Sequence, residues 1–305
     1  MVSQIGAVAK AVLRTAGYYR RRLARETFPG PAVLCFHNVL PDDVDRTTIP
    51  FAPLQVSASR LDEQCRAIAE TCHPISFETF LNSWEGRERW PARPVMFTFD
   101  DGYRNVATVA GPILAKYEIP AVAFTCTGPQ ELGGAFWVDR VAAVSGEAEV
   151  ERLKERPDEE RRDAAARTPA YPFRHEHCRL MTQVDLKELA TRPGWEVGGH
   201  SHTHPILAQC SQEGQREEIE LNAATLGAAT GKRPRSFAYP NGRPNRDYDE
   251  TTKRLVAEAG IKLAFTTATG FVVDQTRPYD VPRFLMLNSV AGTELLHRLA
   301  FSWRT

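Results

Sequence analysis

The chain has 305 residues, 42% of them hydrophobic, with 38 Lys and Arg balanced against 38 Asp and Glu. That length and apolar content suit one large α/β domain, and a formal charge of zero gives no overall attraction to nucleic acid. The six cysteines (Cys35, Cys65, Cys72, Cys126, Cys178 and Cys210) follow neither C-x-x-C nor disulfide-framework spacing, so free thiols in a reducing compartment are expected.

Residues 1–28 are expected to form a basic amphipathic helix set before the main domain, which takes up 29–305. Val8, Val12, Leu13, Tyr19 and Leu23 recur at helical spacing, while Lys10, Arg14, Arg20, Arg21, Arg22 and Arg25 supply charge. Basic residues interrupt the apolar stretch and gather at its far end, which is not the pattern of a signal peptide. The segment is also too short and too charged to span a bilayer. Two readings stay open: a helix docked on the protein's own body, and peripheral membrane contact through residues 1–25, toward which the triple arginine leans. The expected location is the cytoplasm, at the inner face of the membrane under the second reading.

Pro29-Gly30-Pro31 closes this segment, and 32–36 reads as the first core strand, ending at His37-Asn38. A histidine there is either a structural hydrogen-bonder or a catalytic group. A loop over 40–54 precedes a helix over 57–69, a short strand over 74–76 and a helix over 77–84. The apolar run 95–99 is then a buried strand that ends in Asp100-Asp101-Gly102. Two carboxylates closing a buried strand are unusual unless they are paired or used. Adjacent side chains at a strand end point in different directions, so one carboxylate can hold a metal while the other serves as a base. The plainer alternative is that Asp101 caps the helix over 105–116.

A strand over 120–126 leads into a loop with Phe136-Trp137-Val138-Asp139-Arg140, either a face for stacking sugar rings or a tryptophan filling a gap. Residues 147–179 are densely charged with mixed signs and read as a solvated helical insertion or lid. After a helix over 182–190, the strand 195–199 delivers His200-Ser201-His202-Thr203-His204-Pro205. Three histidines in five residues point to metal binding. A turn, favoured by Pro205 and the paired glycines, brings His200 and His204 together and sends His202 elsewhere; an extended segment would align all three. Helices over 211–230, 247–259 and 293–303 and strands over 237–239, 261–267 and 280–285 complete the alternation. Seven or eight strands separated by helices imply a parallel β/α barrel, which gathers the strand ends on one face. One carboxylate and two imidazoles leave a metal with open positions, so the site is catalytic in type.

These residues resemble a known family. Thr98-Phe99-Asp100-Asp101-Gly102 and His200-Ser201-x-x-His204 are similar to the first two motifs of the polysaccharide deacetylases, the NodB-homology enzymes of carbohydrate esterase family four. The resemblance covers roughly 31–290 and implies a distorted (β/α) barrel of about seven strands. It implies Asp100 as base, with Asp101, His200 and His204 holding one divalent metal: zinc, or cobalt, nickel or manganese. Phe237-Ala238-Tyr239-Pro240-Asn241-Gly242 resembles the third motif, with the Asn241 backbone N–H as oxyanion donor. Trp137, Asp139, Tyr239 and Arg283 are the expected substrate contacts. His37-Asn38 and Trp137-x-Asp139 resemble the branch that includes poly-N-acetylglucosamine deacetylases and keep His37 as a catalytic candidate. Two departures stand out. Ala238 occupies the place of an arginine that orients the base in many members, and Leu296-His297, the only trace of the late leucine-histidine motif, falls in the closing helix. The implied reaction is removal of acetate from an N-acetylated glycan; a lipid-linked sugar, a non-sugar amide or a non-catalytic glycan-binding barrel are the alternatives.

Overall fold

A computed structural model of the chain describes residues 12–13, 17–25, 28–128, 136–168 and 176–301. Residues 1–11, 14–16 and 26–27 of the expected N-terminal helix, 169–175 of the charged insertion and 302–303 of the closing helix lie outside the described residues. The strands are β1 (Ala32–Phe36), β2 (Val39–Leu40), β3 (Val56–Ser57), β4 (His73–Pro74), β5 (Pro94–Phe99), β6 (Ala121–Thr125), β7 (Trp195–Gly199), β8 (Ser236–Ala238), β9 (Leu263–Phe265) and β10 (Phe284–Leu285). The main sheet runs β10-β1-β5-β6-β7-β8-β9, with β4 flanking β5, and every pairing in it is parallel. This is the predicted architecture, a curled parallel sheet of seven strands with helices outside.

The curl closes through one segment. Val281 exchanges hydrogen bonds with β9, its N–H going to the Ala264 carbonyl and its carbonyl accepting from Thr266, while Leu34 and Cys35 of β1 pair with Phe284 and Leu285. Residues 281–285 thus bridge the two edges of the sheet, and Arg283 lies at the middle of the seam.

Side-chain alternation divides the core into two layers. Val95, Phe97 and Phe99 of β5 face outward into the helices, whereas Val33, Met96, Val122, Phe124, Ala238, Phe265 and Val281 fill the barrel. Space inside is short: a Cβ on Gly198 would come within 2.5 Å of the Phe124 ring, so only glycine fits β7 there. Cys35, Thr98 and Arg283 form a polar tier above this apolar plug, and Asp100 stands above them at the C-terminal rim.

Five of the described α-helices begin at a capping side chain. Ser57, Ser76, Thr182 and Ser211 each accept an N–H from the first turn of the helices Ala58–Thr71, Phe77–Trp84, Gln183–Thr191 and Gln212–Thr230. The helix expected over 247–259 is shorter, Glu250–Glu258, because Asp249 forms its capping box with Thr252 and Asp247 is instead paired with Arg243. The short strand expected over 74–76 is His73–Pro74. The loop expected at 136–140 is a correction: Trp137–Ser145 is a helix with a largely buried face. The described part of the insertion holds two α-helices, Glu147–Lys154 and Asp158–Arg167, and a 3₁₀ turn, Glu176–Cys178.

In the N-terminal helix Tyr18–Arg25, Tyr19 and Leu23 are buried, and the Tyr19 hydroxyl meets His297 Nδ1 at 3.1 Å. The Arg22 guanidinium lies 4.2 Å from the centre of the Phe301 ring. This turn of helix is docked on the protein's own body, and no described helix is long and apolar enough to cross a membrane. All six cysteines are free thiols.

Candidate active site

The site is built where β1, β5, β7 and β8 end. Asp100 keeps the inward direction of Thr98, and its N–H is held by the Phe36 carbonyl at 2.9 Å. Asp101 departs from the strand because its backbone is left-handed, with φ 75°, followed by Gly102 at φ 88°. Ser201, His204 and Asn241 are also left-handed, with φ of 63°, 60° and 57°. Each such non-glycine residue costs about 1–3 kcal/mol and persists only where its surroundings over-determine it. Phe51 at the cleft wall is a fifth, so five of the eight left-handed non-glycine residues described lie in or beside the cleft, the others being Arg93, Glu118 and Asn245.

Arg283 is wholly buried, and its two terminal nitrogens each reach one Asp100 oxygen at 2.7 Å. Its Nε donates to the Thr266 carbonyl at 3.0 Å, and Nη1 also reaches Thr98 Oγ1 at 3.2 Å. Arg283 is therefore not a substrate contact, which corrects the expectation. It lies beneath Asp100 and holds both of its carboxylate oxygens. Burial by itself would raise the Asp100 carboxyl, but the Arg283 guanidinium together with the nearby His200 and His37 more than offsets it and holds the group below its ordinary value. Cys35, whose thiol burial pushes far up, adds a weak S–H donor 3.5 Å from Asp100 Oδ2.

Asp101, His200 and His204 converge, with Nε2 of the two histidines 3.3 and 3.4 Å from Asp101 Oδ1. Ligands held at about 2.1 Å around a tetrahedral ion stand roughly 3.4 Å apart, so these separations fit a divalent metal. The donor chemistry fits as well. His200 Nδ1 lies 2.7 Å from the Ala238 carbonyl, a contact that places its proton there and leaves the Nε2 lone pair free. Burial lowers the pKa of His204, favouring the neutral ring a ligand needs. His202 is turned away, with Nδ1 2.8 Å from Thr127 Oγ1. Gly128 closes over its ring.

The cleft above is lined by His37, Asp100, Asp101, Asp139, His200, His204, Asn241 and Thr267, with Phe51, Leu54 and Lys154 at its walls. His37 Nδ1 has no partner among the described residues, nor has the Asn241 side-chain nitrogen. The backbone N–H of Asn241 makes no hydrogen bond among the described residues, whereas its carbonyl accepts from Thr267 Oγ1 at 2.9 Å. Asp139 accepts from the Tyr103 hydroxyl at 3.0 Å, and burial together with repulsion from Asp101 raises its carboxyl to about 7.

Two further expected substrate contacts are corrected. Tyr239 is fully buried, stacked on Tyr248 with ring centres 3.7 Å apart, and its hydroxyl donates to the Tyr279 carbonyl. Trp137 is 3% exposed and donates its indole N–H to the His204 carbonyl at 2.8 Å. Leu296-His297 is likewise remote, bound up with Tyr19. Tyr103, Phe51 and Lys154 escaped the sequence reading; only Tyr103, directly after Asp-Asp-Gly, carried a positional signal.

A parallel barrel whose rim holds an arginine-clamped carboxylate beside a carboxylate and two imidazoles is the framework of a carbohydrate deacetylase. The polysaccharide deacetylase family model matches residues 87–264, more than half of the chain, which belongs to that family. A poly-beta-1,6-N-acetyl-D-glucosamine N-deacetylase of Staphylococcus aureus (strain MSSA476) is 23% identical over 241 residues, 76% of this chain and 67% of the relative. One of the same description from Escherichia coli (strain K12) is 24% identical over 91% of this chain, which spans only 40% of that relative's length. Among solved structures, the Streptococcus pyogenes deacetylase PplD in complex with acetate aligns with TM-score 0.66 at 22% identity, covering 88% of this chain and 97% of its own. IcaB from Ammonifex degensii aligns with TM-score 0.62 at 20% identity, covering 89% and 97%. At these identities the structural neighbours establish the fold and leave the substrate to the site.

Proposed function

We propose that this chain is a divalent-metal-dependent hydrolase that removes acetyl groups from the N-acetylated amino sugars of a polysaccharide or glycan precursor. The observation that carries the reading is the Arg283-clamped Asp100 beside the Asp101, His200 and His204 donor set in one cleft. The names of the curated relatives support a polymer of N-acetyl-D-glucosamine. Asp101, His200 and His204 would hold the ion; zinc suits these donors, and cobalt, nickel or manganese can use them. When bound, the metal supplies a Lewis acid that activates water and polarises the acetyl carbonyl.

The chain's own residues account for the remaining chemistry. Asp100, ionised and aimed by Arg283, accepts the proton of the attacking water at a carboxylate oxygen. The Asn241 N–H donates to the carbonyl oxygen as that oxygen gains charge. His37 lines the cleft and delivers a proton to the leaving nitrogen, so the C–N bond breaks to give acetate and a free amine. With Arg283 in place, Ala238 ceases to argue for a non-catalytic barrel.

The test is metal analysis of the purified full chain combined with acetate release from a panel of N-acetylated glycans. Acetate from N-acetylglucosamine oligomers, lost on chelation and restored by Zn2+ or Co2+, is expected. Asp100→Asn should keep the metal and release no acetate, and His37→Ala should lower kcat at unchanged metal content. A metal-loaded protein that releases acetate from no N-acetylated glycan would overturn the proposal.

A further inference from the structure

The two histidines of the candidate metal site are held in different ways. His200 is oriented by its own ring, through Nδ1 and the Ala238 carbonyl. His204 Nδ1 has no partner among the described residues, so apart from the Nε2 contact with Asp101 at the candidate metal site its ring direction comes from packing and from its backbone. That backbone is left-handed, and a non-glycine residue leaves that region unless its neighbours prevent it. On the upstream side, the His204 N–H donates to Ser201 Oγ at 3.1 Å, and Thr203 is tied to Glu218. On the downstream side, the Trp137 indole N–H holds the His204 carbonyl at 2.8 Å. The preceding residue, Phe136, packs its ring 5.2 Å from the His204 ring.

Trp137 is itself clamped from the charged insertion. The Arg161 guanidinium, from the helix Asp158–Arg167, lies 5.3 Å from the indole centre, within the range of cation–π attraction. Arg161 is only 4% exposed, and its Nε is fixed by Asp158 Oδ1 at 2.6 Å. Its neighbour Arg162 shares Asp158 but is exposed.

We infer that Trp137 is a positioning residue for His204, and that the insertion acts through Arg161 as a buttress setting metal affinity. This rests on the metal reading proposed above. It gives the insertion a role other than that of a solvated lid, and gives Trp137 one other than stacking on sugar. Outer groups that orient a ligand change affinity about 10–100-fold when removed, and the effect should be confined to the loaded site.

The experiment measures Zn2+ affinity of the full chain by competition with a chelating dye, alongside the melting temperature of the metal-free protein. Trp137→Phe keeps an aromatic ring and deletes the N–H, and is expected to weaken Zn2+ binding about tenfold or more. Arg161→Met should shift affinity in the same direction by less, and Arg162→Ala should leave it unchanged. A purely structural tryptophan would lower the melting temperature and leave Zn2+ affinity at the parent value; that result overturns the inference. If Trp137→Phe does not fold, Arg161→Met decides, and parent affinity there overturns the inference equally. A parent protein that binds no divalent metal would overturn the metal reading itself, whereas a metal-binding parent with unaffected variants would sink the buttress alone.

Discussion

Arg283 and Asp100, 183 residues apart in the chain, meet inside the barrel through two parallel hydrogen bonds of 2.7 Å each. The arginine comes from the segment that closes the sheet, so closure of the barrel and orientation of the candidate base are one event. The paired fork also explains why the carboxylate stays ionised although it is buried.

Arg283→Met should therefore cost both stability and turnover. It leaves a buried carboxylate without its partner, a loss of about 3–5 kcal/mol. Chemical denaturation would read the first effect, and acetate release would show kcat falling far more than substrate affinity. Arg283→Lys keeps the charge but not the fork, and should fall between the two. Parent-like stability and kcat in Arg283→Met would remove the clamp from the mechanism.

Metal content should separate the histidines. Alanine at Asp101, His200 or His204 should abolish bound divalent metal, whereas His202→Ala should retain it, because His202 is engaged with Thr127 on the far side of the turn. Metal per chain after dialysis is the measurement. Loss at His202 with retention at His204 contradicts the ligand set.

Asn241 should matter through its backbone. Its φ of 57° suits glycine, so Asn241→Gly is expected to keep most activity. Proline fixes φ near −65° and would rebuild the turn, so it cannot report on the N–H alone. A β-branched residue tolerates the left-handed region poorly, and Asn241→Val should misdirect the N–H. Loss of one oxyanion donor corresponds to about 2.7–4 kcal/mol in kcat. A fully active, metal-loaded Asn241→Val would mean that another group stabilises the oxyanion.

Asp139 makes a prediction for pH. Its carboxyl is raised from 3.8 to about 7, so the fold favours the protonated form. The stability linked to that proton is intact below the unfolded value and is lost as pH rises through the folded one. Asp139→Asn does not titrate, so its stability relative to the parent should grow from about pH 4 to about pH 7 and then level, by at most about 4 kcal/mol. The gain should be largest in metal-free protein, where Asp101 still repels the carboxylate. Thermal melts of both proteins across that range are the check, and a difference independent of pH refutes the shift.

The sequence by itself determined what depends on near neighbours. Alternating apolar runs and capping residues such as Ser57, Ser76 and Ser211 specify strands and helices within a few positions, and parallel strands then bring their C-terminal ends to one rim. Asp100-Asp101-Gly102 and His200 to His204 were legible because each lies at a strand end, where a short turn sets the geometry. Only the tertiary structure decided the rest. Whether Arg283 faces solvent, substrate or Asp100 depends on which edges meet when the sheet curls, and no local pattern encodes that register. Tyr239 and Trp137 look like sugar contacts in the chain, yet one stacks on Tyr248 and the other holds the His204 carbonyl. An aromatic ring buries wherever the fold offers a matching surface, and that surface is assembled from residues far away in sequence.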